Sequence, residues 1–264
     1  MTDAPSDRAA DMTVLVPVRI LEGQQIPAAL IDVLVSTPVV LLGYHPIPEQ
    51  TAPEQARTAF GEQARAELDQ LAQAFTDAGG SVETRLVFTH DPTQTFERVA
   101  ADEAADAVLL LNPAPSVDRI LVALSEGINT ERITRLVALL AGYSDRSVTL
   151  FHAAATEEDR ERGEQLLDTA TDLLVERGVP PGAITRDVTV SDAPVQAIVD
   201  AAAGTDLVVL GESRPSVREL IFGEPSERVA GHSLAPILVV RRLPALDAES
   251  DVTAASDTPD GDDA

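Results

Sequence analysis

Thr13-Val14-Leu15-Val16-Pro17-Val18 and Arg119-Ile120-Leu121-Val122-Ala123-Leu124 are two runs of one kind, and each opens the same series of elements. Both are short, rich in β-branched residues and almost uninterruptedly apolar, which predicts strands buried on both faces. After the first run, Pro38-Val39-Val40-Leu41-Leu42-Gly43 is a second strand. The stretch from Pro53 to Ala78 then carries Phe60, Ala64, Leu68, Leu71 and Phe75 at helical spacing. Gly79-Gly80 stops that helix, Val82 to Phe88 alternates as a strand, and Asp91 caps a helix through Val99. Ala107-Val108-Leu109-Leu110-Leu111 closes the series as a buried strand.

The second run starts the series again. Asn129 to Ala141 is a helix, and Ser147-Val148-Thr149-Leu150-Phe151-His152 is a strand. Thr156 with Asp159 forms a capping box for a long helix bearing Leu166, Leu167, Ala170, Leu173 and Leu174, which Gly178 ends. Ile184 to Val190 is a strand, Asp192 caps a helix to Ala203, and Leu207-Val208-Val209-Leu210 is a buried strand. The offsets agree: Val14 to Ile120 is 106, Val39 to Val148 is 109, and Asp91 to Asp192 is 101. Two βαβαβαβ copies with apolar strands predict an α/β fold, two tandem doubly wound (Rossmann-like) parallel-sheet domains. The first spans 12–117 and the second 118–243, with tails at 1–11 and 244–264 that read as disordered; the C-terminal tail has seven acidic residues and no basic one. The copies are unequal. Only the second continues past its fourth strand, through a helix to a fifth, Ile237-Leu238-Val239-Val240; the first lacks both.

The 264 residues carry 44 acidic side chains against 19 basic ones, a formal charge of −25, and every basic residue is arginine. Without cysteine there is no disulfide frame, thiol nucleophile or sulfur-bound zinc. So negative a field opposes phosphate backbones, which argues against a nucleic-acid partner. The most apolar stretch, Ala28 to Gly43, is broken by Asp32 and Pro38 and is too short for a membrane span of about 20 residues. The N-terminus has the wrong charge for a secretory signal, so the expectation is a cytoplasmic protein with no stable membrane insertion. Carboxylates hold water in concentrated salt, where repulsion is screened within about 3 Å at 1 M. The composition resembles that of proteins from organisms with molar internal potassium chloride.

In open α/β sheets ligands bind beyond the carboxyl ends of the strands. In the second copy that crevice is lined by Ser125-Glu126-Gly127 and by the turn from Gly211. Gly211-Glu212-Ser213-Arg214, then Gly223-Glu224-Pro225-Ser226-Glu227-Arg228-Val229, His232, Pro236 and the strand to Arg241, resemble the C-terminal signature of universal stress protein (UspA-like) domains. The resemblance extends over Met12 to Leu243 as a tandem pair. In the ATP-binding branch of that family, Gly-x2-Gly-x9-Gly-Ser/Thr holds the phosphates and an Asp after the first strand helps hold the adenosine end. Here Gly211 and Gly223 match the outer glycines, while Arg214 stands at the middle one and Glu224 replaces the Ser/Thr. The expected Asp is Arg19 in the first copy and Ser125 in the second.

Gly211, Arg214, Gly223, Ser226 and Ser125 are therefore the candidate residues of a degenerate nucleotide or anion pocket. Arg214 could replace a lost N–H site with a charged fork. Alternatively the glycines only permit tight turns and nothing binds, the reading preferred here, so no cofactor is expected, although ATP stays open. His45, His90, His152 and His232 lack carboxylates at metal spacing, and no serine sits in a nucleophile elbow, so no metal site and no catalysis are expected. The resemblance implies a regulatory or protective role through protein contacts, with nucleotide sensing or service as the soluble partner of a membrane transporter as alternatives. It also implies pairing through fifth strands. The one such strand here leaves a homodimer, slightly preferred, or an intramolecular pseudo-dimer.

Overall fold

The Val- and Leu-rich runs become neighbouring strands of one sheet. The computed structural model describes residues 12–126, 128–142, 145–212 and 235–242. In chain order the first unit is β1 (Val14–Arg19), α1 (Ala28–Leu34), β2 (Val39–Pro46), α2 (Pro53–Asp77), β3 (Val82–Thr89), α3 (Pro92–Asp102) and β4 (Ala107–Leu110). The second is β5 (Arg119–Ala123), α4 (Thr130–Ala141), β6 (Ser147–Ala154), α5 (Glu157–Glu176), β7 (Ile184–Val190), α6 (Pro194–Ala201), β8 (Leu207–Gly211) and β9 (Ile237–Val240).

The nine strands are ordered β3-β2-β1-β4-β9-β8-β5-β6-β7. Within each unit all pairs are parallel, as crossover helices require. The repeat seen in the sequence holds to the register. Val14 lies beside Val39 and Ala107, and Val39 beside Val82; correspondingly Ile120 lies beside Val148 and Leu207, and Val148 beside Ile184.

β9 joins the units. It runs parallel to β8 and antiparallel to β4, with Val239 opposite Leu210 on one side and Val108 on the other. Within the chain β9 takes the intramolecular arrangement, one of the two expected, and both of its edges are occupied. Arg241 fastens the far end of β9 to the first unit, donating from Nη1 to the carbonyls of Ala100 (2.8 Å) and Ala105 (3.0 Å). At its near end Asn112 Nδ2 donates to the Ala235 carbonyl at 3.2 Å.

Alternation along each strand divides the core by sheet face. Val14, Val16, Leu41, Ile120, Val122 and Leu238 point into one cluster shared with α1, α2, α4 and α5, which runs unbroken across both units. The opposite face has two clusters, under α3 for the first unit and under α6 for the second.

Two sequence expectations need correction, and one element was not read. Phe60 is 47% exposed, because the buried face of α2 runs through Ala56, Ala64, Leu68, Leu71 and Phe75 instead. Asp192 does not cap α6; its N-cap is Ala193 without a side-chain bond, one residue out of step with Asp91, which does cap α3 by accepting from Gln94 N. The apolar stretch from Ala28 to Gly43 is two elements, the short α1 and then β2. α1 was not legible because only seven residues, with no side-chain cap, leave too little periodicity.

Candidate functional site

β5 and β8 are adjacent and parallel, with Ala123 beside Leu210, so the turn after β5 and the last residue of β8 share one end of the sheet. That brings Ser125 and Gly211, two of the five candidate residues, to the same end of the sheet. Arg214, Gly223 and Ser226, like Glu224 and His232, lie outside the described residues.

Gly211 is buried, and its neighbours explain why it is glycine. A Cβ there would lie 2.9 Å from Ile133 Cδ1 and 3.2 Å from two carbons of Ile128. The missing side chain lets the first turn of α4 and the residue before its cap close over the end of β8. On the following residue, Glu212 N donates to the Val240 carbonyl at 2.8 Å, and its carboxylate accepts from Arg242 N at 2.9 Å. This carboxylate secures the end of β9.

The β5 turn is fixed from the other side. The Leu124 carbonyl, next to Ser125, is 2.9 Å from His152 Nδ1; a carbonyl only accepts, so Nδ1 carries the proton. His152 is buried, with its ring so close to Gly163 that a Cβ there would lie 2.4 Å from Cδ2. Glu126 pairs with Arg162 at 3.2 Å, and Arg162 also pairs with Asp159. The Asp159 hydrogen bond, followed by the charge of Glu126, pushes the exposed Arg162 guanidinium above its ordinary pKa. The Thr156 hydroxyl, donating to Asp159 at 2.8 Å, and then Arg162 hold the Asp159 carboxyl below the usual carboxylate range.

The corresponding end of β1 in the first unit carries Arg19, whose backbone N–H donates to Gln24 Oε1 at 2.6 Å and whose guanidinium pairs with Glu22 at 3.3 Å. His45 and His90 contact the carbonyls of Ile20 (3.4 Å) and Thr51 (3.0 Å). Among the described residues no three His, Asp or Glu side chains are placed to hold a metal ion.

Sequence reasoning missed a pair of aspartates. Asp106 Oδ2 accepts from Thr13 N at 2.6 Å, and Asp206 Oδ2 accepts from Arg119 N at 2.9 Å and Asp118 N at 3.1 Å. The signal was present in Ala105-Asp106-Ala107-Val108 and Thr205-Asp206-Leu207-Val208, an aspartate directly before each fourth strand. Burial pushes the Asp206 carboxyl up, but the hydrogen bonds from the Arg119 side chain and from the two amides outweigh it, leaving a lowered pKa. Asp106 has a further partner, Arg132 in the first turn of α4, forming an ion pair between the units with side chains only 18% and 12% exposed.

Residues 116–241 match the universal stress protein family. Comparison with curated proteins finds no match. Among solved structures, a universal stress protein from Archaeoglobus fulgidus DSM 4304 has a TM-score of 0.57 at 14% identity, covering 87% of this chain and 96% of its own. This likeness is one of fold. A universal stress protein in complex with cAMP is 24% identical over 48% of this chain and 98% of its own, with a TM-score of 0.35. The cytoplasmic domain of a prokaryotic cation chloride cotransporter is 12% identical over 87% of this chain and 95% of its own, with a TM-score of 0.47. The match to the universal stress protein family thus falls on residues 116–241, a little under half of the chain, and β9 joins that part to a first unit of the same strand order and register.

Proposed function

We propose that this is a cytoplasmic universal-stress-type protein whose regulatory or protective role is exerted without catalysis, through contacts with other proteins. The observation that carries the reading is the packing at Gly211. Ile133 and Ile128 pack against that glycine on the side where a side chain would stand, so the end of β8 presents an apolar wall to the turn after β5. A phosphate oxygen needs donors at about 3 Å, and an apolar wall there leaves its charge unsolvated. The Glu212 carboxylate beside it adds negative charge at the same turn.

Nucleotide sensing is the second reading. It is favoured by the placement of Ser125, Gly211 and the first turn of α4 at one end of the sheet. Titration calorimetry of the full chain with ATP, AMP and cAMP in molar potassium chloride separates the two. No heat at millimolar nucleotide is expected; saturable binding of any of the three would replace the first reading by the second.

A further inference from the structure

Away from the strand-end crevice, a cleft of about 610 Å³ opens beside the outer side of α4. Its size falls within the range of small-molecule sites, about 300–1,000 Å³. Arg135, Ala138, Leu139 and Gly142 follow one another at helical spacing along its wall, while Leu136, Val137, Leu140 and Ala141 are buried in the core. Ala138 and Gly142 are too small to fill the space they face. Across the cleft stands Arg177, at the end of α5, and Ser36 of the first unit completes the rim, its hydroxyl donating to the Leu139 carbonyl at 3.3 Å. The cleft therefore lies where the two units meet, a common place for ligands.

Its charge runs against that of the whole chain. Arginine is outnumbered more than twofold by acids overall, yet the described residues lining this cleft include two arginines, Arg135 and Arg177, and one carboxylate, Glu131. Glu131 is mostly exposed and reaches Arg177 Nη2 only at 3.5 Å, whereas Arg177 Nη1 is spent on the Leu173 carbonyl at 2.9 Å. We infer that this cleft binds a small organic anion, with its acidic group at the arginine end and its apolar body over Ala138 and Leu139. The site is separate from the Gly211 crevice, and neither reading of that crevice bears on it.

Anilinonaphthalene sulfonate, an anionic group on an apolar body, is the probe. It is titrated into the folded full chain in about 2 M potassium chloride, where long-range repulsion is screened. The expected result is saturable binding of one molecule per chain. Arg135→Gln should weaken it about tenfold or more, the loss of one charge-assisted hydrogen bond. Ala138→Trp, which fills the cleft without altering a charge, should abolish it. Absence of saturable binding to the native chain, or binding unchanged in Ala138→Trp, overturns the inference. Circular dichroism of both variants must match the native chain, so that lost binding reports the cleft and not the fold.

Discussion

At Gly163 two physical effects oppose each other, and the structure decides between them. In an exposed helix interior, glycine to alanine is favourable by roughly 1 kcal/mol. Here the added methyl would meet the His152 ring at 2.4 Å, and that ring is buried and tied to the Leu124 carbonyl at 2.9 Å. Gly163→Ala is therefore expected to destabilise the protein by about 1–3 kcal/mol. Denaturant unfolding at fixed high salt checks the sign, and a gain in stability would show that the ring moves aside. Asp206 makes a second prediction at this scale. Its folded pKa is lowered, so its contribution is complete above the unfolded value of about 3.9 and is lost as pH falls through the folded one. Asp206→Asn should flatten that acid limb and cost about 1–3 kcal/mol at neutral pH through weakened acceptance from two backbone amides and an arginine. Thermal unfolding followed from pH 7 to 2 measures both effects.

Among the elements, β9 has the largest consequences for its length. Four residues complete the ladder between two half-sheets that otherwise do not pair, with Arg241 clamping one end and Asn112 the other. Val239 lies mid-strand with a neighbour on each side, so proline there removes a ladder donor and clashes with the sheet, and the acceptor left unsatisfied alone costs about 1–3 kcal/mol. The expected outcome for Val239→Pro is that the units lose cooperativity and calorimetry resolves two unfolding transitions. A single, merely shifted transition would mean that the core shared by α1 and α4 couples the units without β9.

For the whole molecule, the occupied edges of β9 predict a single species near 27.9 kDa by light scattering in molar potassium chloride. A species of twice that mass would place an interface elsewhere, with β3 and β7 the sheet edges left to supply it. The charge of −25 predicts that the melting temperature rises from low salt to molar potassium chloride as self-repulsion is screened. Much of this architecture was legible in the sequence. Each strand of the repeat carries its own apolar pattern, and each long helix its own period and stop signal, so Val14 and Ile120 could be equated before either was placed. Phe60 and Asp192 were misread because a helical period locates a stripe only to within a residue or so, and one residue decides which side chain meets the sheet or the first free amide.

The sequence by itself determined two α/β copies, their strands and their inequality, because hydrophobic periodicity and turn residues act locally along the chain. Tertiary structure alone decided where Ile237-Leu238-Val239-Val240 goes. Those four residues suit any buried parallel or antiparallel neighbour, and the choice fell to the free edge of β4, secured by Arg241 and by the Asp106–Arg132 pair across the junction. It decided Gly211 as well. A glycine after a strand announces a close approach but not by what, and here the approaching groups are Ile128 and Ile133, supplied about 80 residues earlier in the chain.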